Sequence, residues 1–513
     1  MSLKRPLSLL AAGAAVLLTA VTAASPAAAH GDQERMERLR SELSADSNAP
    51  LIASPNVELL ASVPGSTGIS GCFMKTAPLF VMSNLDSVRV YDVSKPAAPE
   101  LTGVLPSLQF ENEAMNCGER RTPKGTQRFS LIGVDLYQAS PGDIEHVNDP
   151  ATGGYELIVV DVTDPADPQI RSRVRGTTST HTVACIQETD CRYAYSAGDS
   201  RDGKSDTFSI FDLRNLDKPR ELDSNPDLAG IQPFSSPTAA HKWNFDNAGY
   251  GTHTGFEGSS IFDVSDPRKP RLVTTTGRAG RGDDPDFPGY NDFIHHNSFR
   301  PNAKAFKPNS PPSFANGNIL LVTEEDYMQT DCTQAGSFQT WHVKRLNGRP
   351  GQIVPLDKVE LSDLGNFPMP QDAFCSAHWF DYHPSGIVSV GFYGGGTQFV
   401  DVRKPRDIKA YGHATWGVSE VWDAYWVPRY TKDGLARGKT NLAYSVDAVR
   451  GLDVYRVALP GSRSATVSPA LGSTNPFAVF SWPEDALPMT LVGLGLAGFV
   501  VLRRRAVVKQ RAS

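Results

Sequence analysis

Helical periodicity is scarce in this 513-residue chain. Apolar residues seldom recur at three- and four-residue spacings, which argues against a helical bundle. Excess charge of either sign is also lacking. The net charge is −6, with no basic stripe interleaved with aromatics, so nucleic acid is excluded as a partner. Two common catalytic signatures are missing, the Gly-x-Ser-x-Gly elbow and the His-Glu-x-x-His pair. Gly394-Gly395-Gly396 precedes a strand pattern and not a helix, so it forms no phosphate cradle. Cysteine is sparse, six in all, and too widely spaced for a thiolate metal site.

The two ends carry what the middle lacks. Lys4 and Arg5 precede an apolar run from Leu7 to Val21, and Ala27-Ala28-Ala29 offers a small-residue cleavage site. Residues 1–29 therefore read as a secretory signal. Cleavage there would leave His30 at the head of a charged arm, residues 30–56, where it is either a copper-chelating N-terminus or a chance residue. At the other end, Leu487 to Leu502 is uncharged and Gly-rich, and Arg503-Arg504-Arg505 follows at once. That pattern predicts a transmembrane anchor over 487–505 with a cytoplasmic tail, 506–513, and the bulk of the protein outside. Leu487-Pro-Met-Thr490 resembles the start of a sortase signal, but Leu491 stands where Gly is required. Pro483-Glu484-Asp485 is similar to a PEP-type sorting signal, but Asp485 replaces the second Pro. A plain membrane anchor is the reading both departures leave. In an exported chain the six cysteines suggest disulfides. Cys185 with Cys191 suits a hairpin staple, and Cys332 with Cys375 spans a long loop. Cys72 and Cys117 then remain to pair.

Between the ends one phrase recurs: two apolar residues, Asp-Val, two polar residues and usually Pro. It reads VYDVSKP from Val90, VVDVTDP from Val159, IFDVSDP from Ile261 and FVDVRKP from Phe399. IFDLRNL from Ile210 lacks the Pro, and TWHVKRL from Thr340 and VYRVALP from Val454 carry His342 and Arg456 in place of the Asp. A β-branched run precedes each phrase, and a further short strand follows most of the Pro turns. The spacing predicts units of about 40–50 residues with four strands each, lengthened by inserted loops. The seventh phrase has no strand after it, because a Pro/Ser-rich linker, 458–486, begins there. Val57 to Val63 looks like an outer strand without a unit. An all-β, seven-bladed propeller over 57–457, closed by that N-terminal strand, satisfies both observations and leaves no open sheet edge.

The repeated apolar-Val-Asp-Val-Ser/Thr-Asp-Pro phrase resembles the LVIVD repeat family of bacterial and archaeal surface proteins. The resemblance spans roughly Val57 to Val457 and implies propeller blades and a surface location, without a defined activity.

Aligning the start of each innermost strand yields candidate site residues. His181 begins HTVAC, His241 begins HKWNF, His296 begins HNSF and His378 begins HWFDY. Glu113 (EAMNC) and Glu420 (EVWDAYW) hold the corresponding places in the second and seventh units, whereas the Gly68 region of the first offers no ligand. In a propeller, equivalent inner-strand positions form a ring about the channel. Imidazoles with one or two carboxylates suit Fe(II), Mn, Zn or Cu. His295 beside His296 leaves the choice within that pair open. Glu324, Glu325 and Asp326 follow the apolar strand NILLV, and Glu324 is the candidate general base. Inner-strand histidines together with Thr323-Glu324 are distantly similar to selenium-binding protein/methanethiol oxidase propellers, which implies an oxidase. Two functions are therefore expected of the chain. One is a membrane-anchored surface module binding a protein, a polysaccharide or a small molecule. The other is a metal-dependent oxidoreductase at the channel mouth.

Overall fold

The structure is a computed structural model that describes residues 51–461, except 65–66, 107–112, 135–155, 199–205, 239–240, 283, 327–328, 350, 366 and 371–372. The expected signal, anchor and tail lie outside the described residues. Among the described residues no helix is long and apolar enough to cross a membrane.

Seven antiparallel sheets account for nearly all of the regular structure. The fourth shows the plan. Lys242–Phe245, Tyr250–Gly255, Gly258–Asp263 and Arg271–Thr275 pair in chain order from the innermost strand outward. The other blades start from innermost strands Gly68–Phe73, Asn116–Thr122, Thr182–Cys185, Ile294–Phe299, Phe380–His383 and Val421–Tyr430. The third strand of a blade ends at the recurring phrase, and its Asp terminates the strand by a local bond. The carboxylates of Asp92, Asp161, Asp212, Asp263 and Asp401 each accept the backbone N–H two residues on, at 2.7–3.1 Å. A side chain that mimics a turn in this way competes with the ladder, so the chain leaves the sheet there. Asp164 and Asp266 repeat the bond one turn later, to Ala166 and Arg268. The two units without Asp end differently. His342 donates from Nε2 to the Ser310 carbonyl at 3.1 Å, and Arg456 pairs with Glu58 at 2.6 Å.

That last pair belongs to the closure. Val57–Val63 lies antiparallel to Gly451–Val457 and completes the seventh blade. A strand from the N-terminus thus seals the ring against the end of the domain. The end of the segment expected to be an arm contributes as well: Ile52–Ala53 adds a short edge strand to the sixth blade, against Lys409–Thr415.

Packing confirms that the ring is closed. Each interface between neighbouring blades is a separate buried apolar cluster, because strands here are covered on both faces. Val81 meets Ile158 between the first and second blades, and Leu131 meets Phe211 between the second and third. Tyr195 meets Phe262, Ile261 meets Trp341, and Leu321 meets Val388 in the next three. Phe399 meets Tyr455, and Phe80 meets Tyr444 across the closure. Three disulfides add covalent ties: Cys72–Cys117, Cys185–Cys191 and Cys332–Cys375. The first joins the innermost strands of two adjacent blades. Three such bonds suit an oxidising compartment.

Candidate metal centre on the propeller axis

The geometry of the ring brings together residues far apart in the chain. Glu113 lies just ahead of its innermost strand, tied to the next blade by a bridge between Ala114 and Thr182. Its carboxylate is fully buried and meets the Nε2 atoms of four histidines. Oε1 lies 2.5 Å from His296 and 2.9 Å from His378. Oε2 contacts His181 and lies 3.7 Å from His241. His181 and His241 face each other through their own Nε2 atoms at 3.3 Å. Three overlapping donor triads result: Glu113 with His296 and His378, Glu113 with His181 and His241, and His241 with His296 and Glu325. In each triad the ligand atoms lie within 4.8 Å of one another. These buried groups could hold a metal ion.

The far side of two rings decides what the near side presents. His378 Nδ1 donates to the Trp422 carbonyl at 2.7 Å, and His241 Nδ1 donates to the His296 carbonyl at 3.2 Å. A carbonyl oxygen only accepts, so both protons sit on Nδ1. On a neutral ring, Nε2 then carries a lone pair aimed at the axis. Burial holds the His378 and His296 imidazoles below their ordinary range, with neighbouring histidines adding to the effect at His296. The Nε2 lone pairs of His378 and His241 therefore face the Glu113 carboxylate, which itself offers lone pairs, and a proton or a cation among them would relieve the repulsion. Oriented imidazoles of fixed tautomer are the arrangement metal sites use.

Two further groups, unsignalled by the alignment of strand starts, complete the site. Glu325 is fully buried, with Oε2 3.6 Å from His296 Nε2, and Oε1 accepts from the Tyr393 hydroxyl at 2.6 Å. Burial, and then the charge of Glu113, push its carboxyl well above the usual range. Tyr393 is held in the left-handed region at φ 47°, which is costly for a bulky residue. Backbone bonds in both directions with Val421 enforce it, at 2.9 and 3.0 Å. Strand parity explains why Glu325 and not Glu324 reaches the axis. The pairing runs Ile294 with Glu325 and His295 with Glu324, and a bulge follows at His296. Glu324 accordingly turns aside and accepts from the N–H groups of Asp292 and Phe293 at 2.7 and 3.0 Å, while burial pushes its carboxyl up to about 7. His295 turns the same way, to Ser259 and the Tyr290 carbonyl. Glu420 is buried beside the site, where it accepts from the Trp422 indole at 3.1 Å, and it belongs to none of the three triads.

Replacing Tyr393 by Phe is expected to leave the fold and the metal content intact. It should also cost about 1–3 kcal/mol, read from the urea midpoint, because a buried Glu325 oxygen loses its donor. An unchanged midpoint would show that the hydroxyl bond carries no weight.

No protein-family model matches this chain, and no curated protein matches it in sequence. Among solved structures it is similar to the β-propeller domain of Cps50 (Swd1) from Myceliophteria thermophila. The identity is 11%, the TM-score 0.46, and the match covers 78% of this chain and 100% of that one. The blade count rests on this chain's own strand pairing.

Proposed function

We propose that this protein is an exported, surface-held propeller that works as a metal-dependent oxidoreductase, with His181, His241, His296 and His378 as ligands on the channel axis. The observation that carries the reading is the convergence of four histidine Nε2 atoms on one buried carboxylate, with two of the rings oriented by Nδ1 bonds to carbonyls. Imidazole-rich donor sets with a carboxylate suit Fe(II), Mn, Zn or Cu, and Fe or Cu would meet the redox requirement. When bound, such a metal would supply Lewis acidity and activation of oxygen or water. The chain's own groups do the remaining work. Glu113 supplies the negative charge that offsets a dication. Glu325, whose carboxyl burial pushes well above the usual range, accepts from Tyr393 and is placed to exchange a proton beside His296. Burial of Glu113, His296 and His378 keeps bulk water from those groups.

The sequence patterns expected to be a signal and a C-terminal anchor, together with the three disulfides, support the reading of an exported protein. The distant similarity to selenium-binding protein/methanethiol oxidase propellers supports the oxidase class. A β-propeller also suits a binding or scaffold role in general, toward a surface protein, polysaccharide or small molecule. Oxygen uptake separates the two. The chelated protein is reloaded with Fe(II) or Cu(II) and assayed with small thiols and aryl carboxylates. Uptake that follows metal content and disappears in His296→Ala supports the enzyme, and tight metal without turnover leaves the binding role.

A further inference from the structure

A cavity of about 580 Å³ adjoins the ring of ligands on one side. Its position can be read along the innermost strand of the fourth blade. His241 stands on the axis, Lys242 to Asp246 line the cavity in succession, and Asn247, also lining it, is exposed. The chamber thus runs from the ligand ring to the surface, within the roughly 300–1,000 Å³ usual for small-molecule sites.

Its inner end combines one cation with aromatic walls. The Lys242 ammonium lies 4.5 Å above the centre of the Trp379 ring, and that ring lies 4.3 Å from the centre of the His296 imidazole. Trp379 is therefore the partition between chamber and ring. Trp243, Trp426 and Phe245 widen the aromatic surface.

The charges around the chamber are not equivalent. Lys75 pairs with Glu188 at 3.0 Å, Lys439 pairs with Asp381, and Asp246 pairs with Arg300 at 2.6 Å. Asp423 is bonded to the Tyr425 hydroxyl, and burial pushes its carboxyl well above the ordinary range. Lys242 has no carboxylate within ion-pair distance among the described residues, although its side chain is almost wholly buried. A buried cation with no close ion pair is costly even with the more distant charge of Asp423 to offset it, and an anionic ligand would supply that pair. The indole N–H groups of Trp243, Trp379 and Trp426, all residues of the chamber lining, are buried without an acceptor among the described residues.

We infer that this chamber binds a small organic anion with a flat apolar body, its carboxylate on Lys242 and its body against Trp379 and Trp243. Bound so, the body would lie next to the histidine ring. The inference names the substrate class for the proposed oxidoreductase and rests on that reading for its catalytic meaning, but the binding itself needs no metal.

The test uses cinnamate as probe and the whole exported domain, stripped with chelator, in titration calorimetry. Saturable binding at one cinnamate per chain is expected. Affinity should fall at least tenfold in Lys242→Gln, stay within about threefold in Lys242→Arg, and be unchanged in the surface variant Lys218→Gln. Cinnamyl alcohol, tested on the unaltered protein, should bind at least tenfold more weakly than cinnamate, which decides the matter even if Lys242→Gln fails to fold. Equal binding of alcohol and acid, no binding of cinnamate at millimolar concentration, or full affinity in a folded Lys242→Gln protein would each overturn the inference. Protein that binds cinnamate but cannot be made to take up a transition metal removes only the oxidoreductase reading. Metal-replete protein that ignores cinnamate removes only this one.

Discussion

Replacing His241 and His378 together by Ala is expected to reduce bound transition metal from one ion per chain to less than about a tenth of that. Disturbing groups that merely orient a ligand costs roughly 10–100-fold in affinity, and here two ligands themselves are lost. Between them they belong to all three triads, so none survives the change. The fold should persist, because blade-to-blade packing is carried by apolar clusters that include neither residue. Elemental analysis with circular dichroism on the same samples reads both quantities. A double variant that is folded and still holds a full equivalent of metal would place the ion elsewhere.

The second large effect is on stability. A cation bound only by the assembled ring stabilises the native state by about 4 kcal/mol when free metal stands near 1,000 times Kd. Stripping the metal is therefore expected to lower the urea midpoint clearly, and metal added back should restore it. In the double histidine variant the midpoint should be insensitive to metal. The contrast is informative because the candidate ligands come from five successive blades, the second to the sixth, so an ion among them would add a tie between blades that do not adjoin in the ring. Equal midpoints with and without metal in the unaltered protein would show that the ring does not use a cation for cohesion.

Much of the fold was written in short-range chemistry. The Asp of each phrase terminates its strand through a bond only two residues long, so the same letters mark the same place in five blades. The units bearing His342 and Arg456 were legible by spacing and apolar pattern alone, since their strand ends use different partners. Val57–Val63 stood out because the last unit was one strand short. Ile52–Ala53 carried no such signal, being a two-residue edge strand set by its neighbour.

The site divides in the same way. Three of the histidines and Glu113 stand just ahead of their inner strands and His296 is the third residue of its own, and a ring brings such near-equal positions together on one axis. What escaped was set by details that spacing does not encode. Glu325 and Glu324 are adjacent, and the bulge at His296 sets which of them meets the imidazoles. Tyr393 reaches Glu325 from a loop in an unfavoured backbone conformation, before Gly394-Gly395-Gly396, a run whose pattern excludes a phosphate cradle and carries no mark of the tyrosine ahead of it. Lys242 and Trp379 each follow a ligand histidine directly, yet their importance depends on a chamber that no linear pattern describes.

X-ray absorption at the edge of whichever metal the purified protein retains tests the central claim most directly. The account predicts multiple-scattering features of about four imidazoles, with nitrogen near 2.0–2.2 Å and one or two oxygen ligands, and their weakening in the His241→Ala/His378→Ala protein. A spectrum without imidazole scattering, or purified protein with no transition metal that it can be made to take up, would contradict it.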